Sequence, residues 1–547
     1  MIPAPQTLAD TLVTQLIDAG IDTVFGIPGL YNMPLFDALR RAEGIRVVTV
    51  RHEQGAAFMA DGYARATGRP AAICLLPGCG VLNAMTGISE AFFDSSPMLV
   101  LASQVATEHI DQDRGLLHEL TGQLDVVGSV TKHSVRLTDV ESAPAVFADA
   151  LRRLRTGRPR PVQVEIPLDL QSADVSGRPE PTGPADATGR LDHDLIRRAA
   201  ANLAAASRPL IYVGGGAVDA ASITDIAEHL GAPTFTTGMG VGALPGDHPL
   251  WAGVPWVASG DIRPLFEASD CVLFVGTRLN HGMTAEWGIG APAGSVRIDV
   301  DPVEITKTLD VDVQIVADAA AATEALLTEL RRLGPAKGPS AEMAALLEQR
   351  RAALAGRVGT TTPWFEALRS ALPADGIIAA DMSLFWGDMI GSFPVAGPRQ
   401  ILFPWGMGTL GFGVPSAIGA QLGRPDAPVV SIVGDGAFQF TGTELGTAVE
   451  LGLPVAFVVA NNAAYGMIQM QQLNKYGADI ATDLPGPDFV ALARAYGAHG
   501  RHITTPDELA DALAEAFSAH GPTVIELPWA RTFASPVARE VAVDDIS

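Results

Sequence analysis

Positive charge is in short supply in this chain. Lys and Arg total 37 against 61 Asp and Glu, a formal charge of −24 at pH 7. A surface of that sign repels nucleic acid and anionic membranes, so neither is expected as a partner. A bound phosphate would have to be held by a local device, a metal ion or backbone N–H groups. Cysteine is scarcer still. Cys74, Cys79 and Cys271 are the three present. No second pair completes a zinc site with the first two, and all three read as buried, reduced thiols of a cytoplasmic protein. Long apolar runs are missing too: Val455–Ala460 is strand length, well short of the roughly 20 residues a membrane helix needs. The opening Met-Ile-Pro-Ala-Pro-Gln-Thr has neither the basic start nor the apolar stretch of a signal peptide.

What is present is a regular alternation of short apolar runs and amphipathic helical patterns over nearly all of the 547 residues. That alternation is the signature of parallel sheets covered by helices, and the length suits three domains. Leu8, Leu12, Leu16 and Ile17 fall at helical spacing. Thr23–Phe25, Val47–Val50, Ile73–Leu76, Met98–Leu101 and Val162–Ile166 read as strands of a first series. A Gly/Pro/Asp-rich stretch from about Val175 to Arg190 reads as a linker. Leu210–Val213, Cys271–Val275 and Val296–Val300 form a second series. After Gly334-Pro-Ala-Lys-Gly-Pro339 comes a third: Ile377–Ala380, Val429–Val433, Val455–Ala460 and Val524–Leu527. The expected architecture is α/β, with three doubly wound, mainly parallel-sheet domains at 1–174, 191–333 and 355–531. The tail after about Thr532 is polar.

The chemistry concentrates where two strands of the third series end. Val429–Val433 runs into Gly434-Asp435-Gly436, a helical stretch is expected over Thr443–Leu451, and Val455–Ala460 runs into Asn461-Asn462. Parallel strands joined by a crossover helix bring their C-terminal ends side by side, where open α/β sheets bind ligands. A carboxylate and an amide oxygen there are hard ligands suited to Mg²⁺ carrying a diphosphate, and Gly436 lets backbone approach the phosphate oxygens. A tight turn explains Gly-Asp-Gly alone and a cap explains Asn-Asn alone, but neither explains the pair.

This segment resembles the diphosphate-binding motif of thiamin diphosphate enzymes, with Asn462 standing 27 positions after Asp435. The resemblance implies that Asp435, Asn462 and the carbonyl of Ala464 ligate the metal. It also implies that Gly434, Gly436, Ala437, Gly466 and Met467 line the cofactor, with Ser383 near its diphosphate. A second match lies far upstream. Arg51-His52-Glu53-Gln54-Gly55, continuing to Asp61-Gly62-Tyr63-Ala64-Arg65, looks like the catalytic-glutamate segment of the acetohydroxyacid synthase and pyruvate decarboxylase superfamily. The resemblance makes Glu53 the acid that hydrogen-bonds N1′ of the cofactor's aminopyrimidine and drives it to the imino form, general acid–base work for a partly desolvated carboxyl. A helix-start glutamate can also be a simple dipole partner. Trp405-Gly-Met-Gly408-Thr-Leu410-Gly411 resembles the loop that bends the cofactor. Leu410 would be the wedge between its rings, and the Gly408 carbonyl the acceptor for its 4′-amino group. The three motifs span the chain in the family's order of pyrimidine-binding, central and diphosphate-binding domains. Because the family's glutamate meets another subunit's diphosphate site, the resemblance implies a homodimer or homotetramer.

The reaction implied is decarboxylation of a 2-oxo acid. The carbanion/enamine is then either protonated to an aldehyde or ligated to a second carbonyl compound. Gly26-Ile-Pro-Gly29-Leu30 matches the family's loop near the reacting carbon. Pyruvate decarboxylases place an aspartate where Leu30 stands and a glutamate where Ile468 stands. Acetohydroxyacid synthases place a tryptophan where Gln471 stands. Leu117-His118-Glu119, followed by Gln123, resembles decarboxylases of guanidino-type 2-oxo acids. His118 and Gln123 are therefore catalytic candidates, and Glu119 suggests a cationic substrate tail; a packed surface histidine is the plain alternative for His118. Two rival functions remain open, an acetolactate synthase acting on pyruvate and a non-catalytic relative that keeps the fold. Gly214-Gly215-Gly216 and Gly276-Thr-Arg278 are a weak dinucleotide signal, and the expectation is against FAD.

Overall fold

The computed structural model describes residues 7–175, 191–256, 261–357, 362–387 and 389–530. Residues 1–6, most of the expected linker and the polar tail lie outside the described residues. The strands of the first domain are β1 (Thr23–Gly26), β2 (Arg46–Thr49), β3 (Ala71–Leu75), β4 (Met98–Gln104), β5 (His133–Arg136) and β6 (Val162–Pro167). Those of the second are β7 (Pro209–Val213), β8 (Thr234–Thr236), β9 (Cys271–Val275), β10 (Val296–Asp299) and β11 (Val313–Val316). The third has β12 (Ile377–Ala380), β13 (Ile401–Leu402), β14 (Val429–Gly434), β15 (Ala456–Asn461), β16 (His499–His502) and β17 (Thr523–Pro528). Every pairing is parallel, in the orders β2-β1-β3-β4-β6-β5, β11-β10-β9-β7-β8 and β13-β12-β14-β15-β17-β16. The expected three-domain α/β architecture is therefore the observed one.

Continuous apolar runs form these strands because both faces of each sheet are covered. Along β3, Ala71, Ile73 and Leu75 enter one core cluster, while Ala72 and Cys74 enter another on the opposite face. Along β14, Val429 and Val433 point to one side, Val430 and Ile432 to the other. One cluster joins the first domain to the third, uniting Phe25, Phe58 and Val100 with Phe412, Val433 and Val459.

At its centre the helix Glu53–Thr67 crosses the helix Gly413–Gly423, and nearly every side chain of both is buried. The backbones approach too closely for side chains at the crossing. A Cβ on Gly62 would lie 2.2 Å from the Ser416 carbonyl oxygen, and one on Gly419 would lie 1.9 Å from that of Met59.

Two differences from the sequence reading have physical causes. β5, β8, β11, β13 and β16 were not anticipated, and all five are sheet edges. Edge strands are short or half-solvated, as in the partly exposed His133–Arg136, and carry no long apolar run. The helix expected over Thr443–Leu451 is in fact a helix at Asp435–Thr441, a 3-10 turn at Gly442–Glu444 and a helix at Leu445–Glu450. Among the described residues no helix is long and apolar enough to cross a membrane.

Candidate active site

β14 and β15 are neighbours, with Gly434 opposite Ala460, so Asp435 and Asn462 leave the same edge of the sheet. Asp435 is the first residue of its helix and is 2% exposed. Burial raises its carboxyl above the ordinary aspartate range, although the backbone N–H groups of Asn462, Gly436 and Ala464 oppose the shift. Among the described residues its Oδ2 is buried with no hydrogen-bond partner. A buried carboxylate oxygen left in that state costs about 1–3 kcal/mol unless something outside the chain meets it. Asn462 Oδ1 accepts from the Ala464 amide at 3.2 Å, and Ala463 holds a left-handed φ of 51°, which turns the chain sharply at the strand end.

The surrounding positions converge. Ser383 Cβ stands 3.5 Å from where a Cβ on Gly434 would be, and a Cβ on Gly436 would touch the Tyr465 ring at 2.9 Å. A Cβ on Gly466 would lie 2.3 Å from Asn462 Nδ2. Ala437 is buried beneath, and Met467 reaches back toward Gly387. Among the described residues no group of three or more His, Cys, Asp or Glu side chains could hold a metal. A cation here would have one carboxylate, one amide and a backbone carbonyl, with the remaining ligands coming from a bound diphosphate or water.

The loop ahead of the buried helix belongs to the same half. Gly408 and Gly411 adopt φ of 64° and 90°, left-handed conformations that favour glycine. Asp381 pins the loop, accepting from the amides of Gly411 at 3.0 Å and Gly413 at 2.8 Å. Its burial pushes its carboxyl up to about 7, against those same amides, which favour the charged form. Thr441 Oγ1 donates to the Gly411 carbonyl at 2.7 Å, tying the loop to the Asp435 helix. Leu410 at the loop's tip is half-buried.

The first domain carries the other half. Glu53 is the first residue of its helix and 8% exposed. Among the described residues its side chain hydrogen-bonds Asn83 alone, Nδ2 donating to Oε2 at 3.0 Å. The Gly29 amide donates to Asn32 Oδ1 at 2.7 Å, and Leu76 packs on the Gly29 Cα. Gln123 is fully buried. Its Oε1 accepts from the Gly78 amide, and its Nε2 donates to the Ser103 carbonyl and Glu165 Oε1, at 2.8, 3.1 and 2.9 Å. That places Gln123 behind the site, as the support of the Gly78 turn. His118 sits with φ 63°, edge-on to Tyr31, its Nδ1 3.1 Å from Cys79 Sγ.

Cys79 is exposed, unlike buried Cys74 and Cys271. It does not fit the reading of all three thiols as buried, because its residue opens a helix at the rim of the sheet. Its place just after the Pro77-Gly78 turn was the available signal.

Each half holds the other by its backbone. Fully buried Glu444, from the third domain, accepts from the amides of Arg51 and His52, both at 2.9 Å, and from Thr447 at 2.7 Å. It thereby fixes the start of the Glu53 helix. In return Glu90 Oε1 accepts from Gly406 at 3.0 Å, and Asp94 Oδ2 accepts from Trp405 at 3.0 Å. Those contacts fix the entry to the Gly408 loop. Buried Arg65 pairs with Asp61 and Asp94 and donates to the Phe403 carbonyl at 2.8 Å.

In the central domain the glycine triplet follows β7 and meets the loop after β9. The Gly214 amide donates to Val275 O at 2.8 Å and the Gly216 amide to Gly276 O at 3.0 Å. A Cβ on Gly214 would lie 2.3 Å from the Gly276 carbonyl oxygen, so packing of the two loops accounts for the glycines. A cavity of about 380 Å³ lies beside them, bordered by Arg158, Asp219, Arg278 and Trp405.

The site has two halves, the strand ends with Asp435 and Asn462 and the helix start with Glu53, and comparison with known proteins assigns the class. Family models match three successive segments: the N-terminal TPP binding domain of thiamine pyrophosphate enzymes at 6–129, their central domain at 196–326 and their C-terminal TPP binding domain at 384–527. The chain belongs to the thiamin diphosphate-dependent enzymes. It is similar at 37% identity over 534 residues to a probable 2-ketoarginine decarboxylase of Pseudomonas aeruginosa, covering 95% of this chain and 94% of that protein. It is similar at 35% over 535 residues to the acetolactate synthase isozyme 3 large subunit of Escherichia coli, covering 93% and 92%. Isozyme 2 of the same organism matches at 34% over 537 residues, covering 95% of both chains.

Proposed function

We propose that this chain binds thiamin diphosphate through Mg²⁺ and decarboxylates a 2-oxo acid with a cationic, guanidino-type tail, in sites formed between the chains of a homodimer or of a homotetramer built from such dimers. The observation that carries the reading is Asp435 Oδ2, a buried carboxylate oxygen without a partner, at a strand end shared with Asn462. A cation there satisfies the oxygen, and the donor set is the hard one that Mg²⁺ takes.

When bound, the cofactor supplies a thiazolium carbon that adds to the substrate carbonyl and takes up the electrons released with CO₂. The chain's own residues do the rest. Asp435, Asn462 and the Ala464 carbonyl would hold the cation, and the helix starting at Asp435 offers its N-terminal amides to the diphosphate. The Gly408 carbonyl and Leu410 would fix the bend of the molecule. Glu53 would hold a proton at its carboxyl for N1′, in a setting that is nearly closed to water and touched by the Asn83 amide. FAD has no part in this reading, since loop packing already explains the central glycines; a colourless purified protein is the expected outcome.

Three features support the substrate class. The relative named above is a probable 2-ketoarginine decarboxylase. Glu119, beside His118, has Oε1 buried without a partner, while its Oε2 accepts from the amides of Arg114 and Leu116, which lower its carboxyl's pKa. Gln471 stands where acetohydroxyacid synthases have tryptophan.

The pairing of chains is supported by the rims of the two halves. Leu30, Met33, Leu82 and Leu117 are exposed around the Glu53 half, and Met407, Phe440, Ile468 and Tyr476 around the Asp435 half. Covering one rim with the other removes both from water.

Calorimetry with thiamin diphosphate at saturating Mg²⁺ should show binding that Asp435→Ala abolishes. A panel of 2-oxo acids scored for CO₂ and product should then favour 5-guanidino-2-oxopentanoate over pyruvate. Acetolactate formed from pyruvate alone, at a rate above that of every other acid, would replace the reading with the synthase one.

A further inference from the structure

Loss of CO₂ leaves an electron pair on the substrate's former carbonyl carbon, and an aldehyde forms only if that carbon is given a proton. The acids that pyruvate decarboxylases use are replaced here by Leu30 and Ile468, neither of which can donate one. Cys79 begins the helix Cys79–Phe93, and its Sγ lies 3.1 Å from His118 Nδ1. The next residue, Gly80, faces Glu53: a Cβ there would lie 3.3 Å from Oε1. The thiol therefore stands one residue from the catalytic acid's own neighbour.

The pair is held in place from several sides. The Gly78 amide is fixed by Gln123. A Cβ on Gly78 would lie 2.6 Å from the His118 carbonyl oxygen, so the turn before the thiol and the loop of the imidazole are in contact. His118 pays for its position with a left-handed φ of 63°, and Tyr31, two residues beyond Gly29, packs edge-on at 5.8 Å between centroids. The titratable groups facing the pair are Glu53 across Gly80, Tyr31, and Glu119 next in the chain.

We propose that Cys79 and His118 form one proton relay, with His118 the donor to the decarboxylated carbon and Cys79 the positioning residue that sets its tautomer and refills it. In the step, the C–C bond to CO₂ breaks and leaves its electrons on the carbon. That carbon takes the proton from His118 Nε2. The thiol proton passes to Nδ1, and the relay resets when the thiolate, favoured at a helix N-terminus, takes that proton back as Nε2 gains one from solvent. No oxidant or reductant is consumed. The relay directs the substrate carbon to an aldehyde rather than to a second carbonyl compound. This inference rests on the decarboxylase reading above, and its first test does not.

That test is carboxamidomethylation of the cofactor-free full-length protein. With Cys74 and Cys271 buried, Cys79 is the thiol that iodoacetamide reaches. Alkylation near pH 7 should be about tenfold slower in His118→Gln, because the base that draws off the thiol proton is gone. Cys79→Ala should take up no label in the folded state.

The second test uses the holoenzyme on whichever 2-oxo acid it decarboxylates. In Cys79→Ala, aldehyde formation should fall by about 10²-fold while the first-turnover release of CO₂ stays near the wild-type rate, and the acidic limb of the pH profile should move. Cys79→Ser, which keeps a hydrogen bond to Nδ1, should recover part of the loss. Equal alkylation rates with and without His118, or a Cys79→Ala enzyme with wild-type aldehyde yield and pH profile, would overturn the relay. A wild-type enzyme releasing no CO₂ from any 2-oxo acid would instead remove the reading beneath it.

Discussion

The first and third domains string their six strands in the same order, second, first, third, fourth, sixth, fifth, yet they carry different chemistry at the same places. In the first domain the helix after the second strand opens with Glu53, and the third and fourth strands run into Leu76-Pro77-Gly78 and Val105, with no metal ligand. In the third domain the second strand leads through Pro404 to the Gly408 loop, and the third and fourth strands end at Asp435 and Asn462. The helices after the second strands cross each other at Gly62 and Gly419. Each domain then uses acids placed after its third strand, Glu90 and Asp94 in one and Glu444 in the other, to grip the entry to the other's second-strand helix. One strand order used twice presents Glu53 in one domain and Asp435 with Asn462 in the other.

The comparison is broken most severely by removing those residues. Glu53→Gln should lower kcat by about 10²–10⁴-fold with cofactor affinity nearly unchanged, whereas Asp435→Ala should lose both. Steady-state rates paired with calorimetry separate the two halves, and an unchanged Glu53→Gln enzyme would favour a fold kept without catalysis.

The next effect concerns Asp381, which anchors the Gly408 loop of the third domain. Its folded pKa of about 7 lies above the ordinary 3.8, so the folded state holds the proton more tightly. Stability from this group is full below about pH 4 and is lost as pH rises through about 7, by at most about 4 kcal/mol. Denaturant melts across that window should slope downward, and Asp381→Asn should flatten the slope.

The reciprocal grip is tested by Glu444→Ala, which removes the acceptor of two part-buried amides, those of Arg51 and His52. A loss of about 2–5 kcal/mol in chemical denaturation is expected, together with reduced kcat, because the Glu53 helix start is no longer fixed. Glu90→Ala should cost less, since its bonds to the Gly406 and Met407 amides are longer, 3.0 and 3.3 Å, and Glu444 also holds Thr447. At the helix crossing Gly419→Ala must displace the Met59 backbone carbonyl, 1.9 Å from the added Cβ, and should cost about 3 kcal/mol or more in the same assay.

Much of this was readable in the sequence, for a definite reason. Strands buried on both faces announce themselves as apolar runs, and chemistry at strand ends follows them directly, as Gly434-Asp435-Gly436 follows β14. Edge strands such as His499–His502 hide because solvent allows them polar residues. The grip of Glu444 on Arg51 joins residues 393 positions apart and has no local pattern. Gln123 is the reverse case: a polar residue matched to a catalytic segment, whose amide the fold turns inward to hold the Gly78 turn. Cys79 became visible only when its neighbour across the loop was known.

Hybrid dimers test the central claim most directly. A Glu53→Gln chain and an Asp435→Ala chain, each carrying its own affinity tag, are co-expressed, and the hybrid is purified through both tags. If Glu53 of one chain serves Asp435 of the other, each hybrid contains one intact site and should show about half the wild-type activity, while either parent alone shows almost none. A hybrid as inactive as its parents would contradict a site shared between chains.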